Sequence, residues 1–246
     1  MVRLDVSDFD VMYAESIASP HDRLIAELLG LPGEVRANSS LTGQGLDDVI
    51  DHLQVGPAAL VIDLGCGRGQ LGLEVRRRTG CRILGLDLSP VAISSAREQA
   101  EARGETESDV RFVVGDMSAT GLPDRCADAI MSIDAIYFGR PLSATVDECA
   151  RVLRPGGRLV ATGWEPLRTD NDSPGRLEAA LLARGYRAVS VRHSTDWYAR
   201  EKQKWLAIAA MPNDGDPMLT SAQDEARSIL EIWDHRQRVL VTAERA

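Results

Sequence analysis

Three acidic residues in this chain each close an apolar run: Asp63 after Leu60-Val61-Ile62, Asp87 after Ile83 to Leu86, and Asp116 after Val110 to Gly115. Runs of that length and branching read as buried parallel strands. Behind Asp63 comes Leu64-Gly65-Cys66-Gly67-Arg68-Gly69, three glycines at alternate positions. Glycine tolerates positive φ and close approach of the backbone to a ligand, and a run of glycines costs conformational entropy that a bound group can offset. From Gln70 a helical pattern follows, with Leu71, Leu73 and Val75 among polar residues and Arg76-Arg77-Arg78 where cations suit the helix dipole. Strand, glycine turn and helix together form the nucleotide-binding corner of an open α/β sheet. Asp87, followed by Leu88, lies about twenty residues past the turn, where a carboxylate accepts hydrogen bonds from both hydroxyls of a ribose. A bare strand-to-helix turn, and acids that only cap helices, are the alternatives for the same residues.

The elements that must hold these groups are legible around them. Residues 58 onward alternate strand and helix: strands over the apolar run from Leu60 that ends at Asp63, then at Arg82 to Asp87, Val110 to Gly115, Ala127 to Ile133, Arg158 to Gly163 and Arg187 to His193. Ser89-Pro90 starts a helix well, serine as N-cap and proline in the first turn. Pro155-Gly156-Gly157 reads as a tight reversal before the fifth strand. The prefix, residues 1–57, shows helices opened by Phe9-Asp10-x-x-Tyr13, from Arg23 to Leu31, and from Gly43 to Leu53. After His193 the rhythm breaks. Two helices, Asp196 to Met211 and Ser221 to Trp233, precede a last strand at Arg238 to Ala243.

Composition narrows the function classes. The 246 residues are 44% hydrophobic and 26% charged, ordinary for a globular chain, and they carry a net charge of −9. A nucleic acid would be repelled on average, and Arg76-Arg77-Arg78 is explained by its helix end. The four cysteines, Cys66, Cys81, Cys126 and Cys149, show no Cys-x-x-Cys spacing and read as reduced thiols. Met1 to Asp5 lacks an apolar signal core, and no run reaches the length of a membrane span, so a cytoplasmic location without membrane contact is expected. No Asp, Glu and His set has metal-ligand spacing, so a metal-independent protein is expected.

Asp63-x-Gly65-x-Gly67-x-Gly69 on a strand ending Asp-Leu-Gly-Cys-Gly resembles the first motif of class I, Rossmann-like, S-adenosylmethionine-dependent methyltransferases. Arg154-Pro155-Gly156-Gly157 matches the same family's Leu-x-Pro-Gly-Gly turn, and the likeness runs over residues 58–193. It implies a seven-stranded, mostly parallel sheet with helices on both faces and an antiparallel last strand. It also implies a core at 58–195, an N-terminal helical cap at 1–57, a helical insert or lid over an acceptor site at 196–236, and the final strand at 237–246. The implied cofactor is S-adenosylmethionine, leaving as S-adenosylhomocysteine. By the same resemblance, Asp63 and the turn Gly65, Cys66, Gly67 and Gly69 serve the methionine portion. Asp87 and Leu88 serve the ribose, Asp116 and Met117 the adenine, and Ser132 and Ile133 the sulfonium end. Tyr13 either closes over the cofactor or packs its helix.

Methyl transfer needs chiefly that acceptor and methyl be positioned in line, and an oxygen or carbon acceptor also needs a base. Candidates at strand ends are Asp134, Tyr137, Glu165 and His193, of which His193 has the most suitable ordinary pKa. Ser132-Ile133-Asp134-Ala135-Ile136-Tyr137-Phe138 has no Asn/Asp-Pro-Pro-Tyr, the clamp of amino-methylating nucleic-acid enzymes in this superfamily. The expected acceptor is therefore a small molecule. Trp197, Tyr198, Trp205 and Trp233 concentrate in the late insert of a chain only 4% aromatic. They either wall an apolar acceptor pocket or fasten the insert to the sheet. A non-methylating reaction with the same cofactor, or plain binding, are the competing expectations.

Overall fold

The computed structural model describes residues 6–16, 21–32, 35–36, 38–167, 174–193 and 195–246. Met1 to Asp5, read above for a signal, lie outside them. Seven strands form one sheet in the order β3-β2-β1-β4-β5-β7-β6. β1 (Leu60–Leu64) pairs in parallel with β2 (Arg82–Asp87) and β4 (Ala127–Ile133), Ile62 facing Leu84 on one side and Ile130 on the other. β3 (Val110–Val114) adds to β2, and β5 (Leu153–Pro166) to β4, both parallel. β7 (Arg236–Glu244) runs antiparallel between β5 and β6 (Arg187–His193). This is the topology expected, with the order of strands reversing between β1 and β4, where open sheets hold their ligands.

Helices cover both faces because the strands are apolar on both. On one face α3 (Gly43–Leu53), α4 (Gln70–Thr79) and α5 (Pro90–Ala102) bury Leu46, Val49, Leu73, Val75 and Ile93 against Val61, Ile83 and Phe112. On the other, α6 (Leu142–Val152) and α7 (Arg176–Ala183) bury Val146, Cys149, Leu177 and Leu181 against Ile62, Ile130 and Leu159. Helix boundaries follow local chemistry. Thr42 caps α3 by accepting from the Gly45 amide at 3.0 Å, and Ser89 caps α5 by accepting from Ala92 at 3.1 Å. The arginine run ends α4 with each guanidinium ion-paired: Arg76 to Glu105, Arg77 to Glu74, Arg78 to Asp47.

Two differences from the sequence reading have physical causes. β5 begins at Leu153 instead of Arg158, because Leu153 pairs with Ala127 before the register shifts and the Arg245 backbone bonds to Gly156 and Gly157. The reversal at Gly156, with φ +77°, becomes an irregularity inside a strand. The last strand likewise starts earlier, at Arg236, because β5 offers partners as far as Pro166.

Above the carboxyl ends of the strands sit α1 (Val6–Ser16), α2 (His21–Leu29), α8 (Thr195–Ala210) and α9 (Pro217–Glu231). α8 and α9 close on a third apolar cluster of Trp205, Ile208, Ala226 and Trp233. No helix among the described residues is long and apolar enough to cross a membrane.

Candidate functional site

The turn after β1 folds back on β2. The amides of Gly65 and Cys66 both donate to the Leu86 carbonyl, at 2.8 and 3.1 Å. Gly67 takes φ +52°, and a Cβ there would stand 2.9 Å from the Tyr13 hydroxyl, so this position needs glycine twice over. Tyr13, on α1, lies buried across the turn. α1 is tied down by Asp10, which accepts from the Ser89 hydroxyl, and by Phe9, edge-on to Phe138 at 5.5 Å.

Asp87 stands where the sequence reading placed it, at the end of β2, and it holds the turn directly. Its Oδ2 accepts from the Gly67 amide at 2.8 Å and its Oδ1 from Ser89 at 3.0 Å. Burial pushes its carboxyl up, while the backbone donors pull the other way. Asp63, 2% exposed, lies beside it with Oδ2 buried and without a hydrogen-bond partner. Burial first, and the Asp87 charge second, push the Asp63 carboxyl up to about 8. A buried carboxylate oxygen lacking a donor costs free energy that a cationic or N–H ligand group would recover. An amino-acid ammonium is one group with that chemistry.

The remaining residues read as cofactor-binding divide. Gly65, Cys66, Gly67, Leu88, Met117 and Ile133 line one continuous cavity of about 880 Å³ with Asp63 and Asp87. Gly69 instead sits behind the turn in left-handed conformation as the N-cap of α4. The Asp116 carboxylate turns onto Ser118, accepting from its amide and hydroxyl at 2.7 Å each, and lies outside the lining. Ser132 is fully buried and donates to the Leu64 carbonyl at 2.8 Å, latching β4 to β1.

The residues read as candidate bases do not meet at the cavity. Tyr137 donates to Glu165 Oε1 at 3.0 Å, and the same oxygen accepts from the Leu177 amide at 3.2 Å, so Glu165 anchors the start of α7. His193 is exposed on β6, the edge strand. None of the three lines the cavity. Asp134 does, immediately after β4 and with φ +57°. It accepts from the Ser40 amide at 3.0 Å, from Thr162 Oγ1 at 2.8 Å, and from Arg238 at 2.5 and 2.7 Å. Burial alone would raise its carboxyl, but Arg238 and these donors hold it below the usual carboxylate range.

The far end of the cavity runs beneath α8 and α9, past Lys204, Trp205, Ile208, Leu219, Ile229 and Arg236. The aromatic residues of the insert take both expected roles. Trp205 faces the cavity, whereas Trp197 packs into the α3 core and Trp233 stacks on Tyr198 at 4.5 Å. Lys204 and Arg236 carry no local sequence signal of a site, beyond lysine standing next to tryptophan. Their neighbours arrive from distant segments. All four cysteines are free thiols, and the described residues hold no group of three His, Cys, Asp or Glu able to bind a metal. The cavity volume is near the upper end of the roughly 300–1,000 Å³ of small-molecule pockets, room for a cofactor and an acceptor together.

The glycine turn, the paired acids and the sheet order 3-2-1-4-5-7-6 define the class I methyltransferase fold. Residues 61–157 match the family model described as "Methyltransferase domain", a likeness that supports the class I S-adenosylmethionine-dependent methyltransferase reading. A sterol 24-C-methyltransferase of Pneumocystis carinii is 26% identical over 69% of this chain and 55% of its own length. A ribosomal protein L11 methyltransferase of Symbiobacterium thermophilum is 32% identical over 64% of this chain and 45% of its own. The chain thus spans about half the length of these curated relatives. Among solved structures the (4+2)-cyclase SpnF superposes with a TM-score of 0.76 at 20% identity, covering 100% of this chain and 97% of that one. At that identity the likeness is one of fold.

Proposed function

We propose that this protein transfers the methyl group of S-adenosylmethionine to a small-molecule acceptor held in the same cavity. The observation that carries the reading is the pair Asp63 and Asp87. One has a buried oxygen without a partner, the other holds the glycine turn, and both face a cavity that continues under α8 and α9. Bound S-adenosylmethionine supplies an electrophilic methyl on a sulfonium. Asp63 accepts from the amino group of its methionine portion, the amides at the start of α4 favour its carboxylate, and Asp87 accepts from its ribose. Residues 1–57 and 196–236 act as cap and lid, excluding water and fixing the acceptor, which is most of what in-line displacement requires. We place the protein in the cytoplasm, where four free thiols are stable.

Purified protein incubated with S-adenosylmethionine and a small-metabolite extract should yield one metabolite carrying one more methyl, with S-adenosylhomocysteine in equal amount by mass spectrometry. A cofactor-dependent isomerised product without S-adenosylhomocysteine would replace this reading with a cyclisation or rearrangement, which the fold permits.

A further inference from the structure

Two cations face the acceptor end of the cavity, and neither lies within ion-pair distance of a carboxylate among the described residues. Lys204 is 5% exposed, and its ammonium donates to the Ser40 hydroxyl at 2.7 Å and sits 3.6 Å from the centre of the Trp205 ring. Arg236 lies half-buried with its guanidinium 3.6 Å over the Trp164 ring. Trp205 belongs to the apolar cluster against which Trp164 packs, so each cation rests on a different tryptophan of that cluster.

The anions nearby are accounted for. Asp134 and Glu201 face Arg238, at 2.5 Å and 3.6 Å. With Lys204 these four charges sum to zero. Arg236 adds a positive charge to the wall. Glu225, exposed at the same end, lines the cavity too and supplies a negative charge that Lys204 feels. Burial pushes the Lys204 ammonium down to about 8, against the pull of Glu201 and Glu225. The wall between is apolar, formed by Ile208, Leu219 and Ile229 among others.

We propose that the acceptor is an apolar monocarboxylic acid, its carboxylate held by the Arg236 fork and the Lys204 ammonium, its hydrocarbon body against the apolar wall beneath α8 and α9. This rests on the methyltransferase reading and names its substrate class. The guanidinium fork suits a planar carboxylate, and the apolar wall beside it suits a hydrocarbon body.

Calorimetric titration of the full chain, saturated with S-adenosylhomocysteine, tests this with decanoate, decanol and decyl phosphate as probes. Decanoate should bind about tenfold tighter than decanol, the effect of a charge-assisted pair. Lys204→Met and Arg236→Gln should each abolish that preference while binding S-adenosylhomocysteine as the parent does, which also shows that they fold. Equal binding of decanoate and decanol, no binding of any probe, a preference surviving both substitutions, or decyl phosphate binding tightest would each overturn the proposal. A parent protein that does not bind S-adenosylhomocysteine would instead remove the cofactor reading, and this one with it.

Discussion

Asp134 and Arg238, 104 residues apart in the chain, meet in the interior with one guanidinium nitrogen 2.5 and 2.7 Å from the two carboxylate oxygens. The contact joins the end of β4, beside the cofactor end of the cavity, to the strand that follows the helical insert. Glu201 on α8 reaches the same guanidinium, and Ser40 bonds Asp134 through its amide and Lys204 through its hydroxyl. One cluster of charges therefore ties sheet, prefix and insert together.

Arg238→Met would leave Asp134 and Glu201 buried without their cation. Breaking a buried pair in this way costs about 3–5 kcal/mol. Urea unfolding should show that loss, and a change below about 1 kcal/mol would mean the cluster contributes little to stability.

Asp87→Ala removes the acceptor for the Gly67 and Ser89 amides and the proposed ribose partner. S-adenosylhomocysteine affinity should fall by about 1–3 kcal/mol in a calorimetric titration. Unchanged affinity would contradict the ribose role.

Asp63 gives a pH signature of known sign. Its carboxyl is raised from 3.8 to about 8 in the folded chain, so the protonated form is favoured there. The stability it contributes is full below the unfolded value and is lost as pH rises to about 8. Asp63→Asn cannot lose a proton, so in ligand-free protein its stability relative to the parent should climb across that window. Cofactor affinity should run the other way, rising with pH in the parent and staying level in the variant. A parent and variant with parallel pH curves would rule out an ionising Asp63.

Tyr137→Phe deletes the 3.0 Å bond to Glu165. The expected result is a stability loss of about 0.5–1.5 kcal/mol with unaltered S-adenosylhomocysteine affinity. Lost turnover at unchanged stability would restore a direct role in the reaction.

The parts of this molecule written in short stretches were legible in the sequence. The glycine turn, Asp87 at its fixed separation and the Ser89-Pro90 helix start depend on residues near one another, where steric and capping rules apply directly. What joins distant stretches was not legible. An acid at a strand end looks the same in sequence whether it lines a cavity, as Asp63 does, or turns inward to fasten a helix, as Glu165 does. Only the packing of α7 decides between them. The same holds for Lys204, whose setting is composed by Ser40, Trp205 and Glu201 from two separate segments. The crowding of tryptophan in the insert was visible, but not that Trp197 and Trp205, eight positions apart, would serve different masters: core and cavity.

The placement of β7 bears on how the chain assembles during synthesis. Among the described residues β6 pairs only with β7, and one edge of β5 is completed only by it, so both wait for residues 236–244 to leave the ribosome. Until then β5 presents an open strand edge, the kind of surface on which neighbouring chains aggregate. Arg238 arrives in the same stroke, so the buried acids Asp134 and Glu201 gain their cation at the step that closes the sheet. A nascent chain stalled short of this strand would expose an unpaired edge and two unneutralised carboxylates together, marking it for capture by quality-control factors.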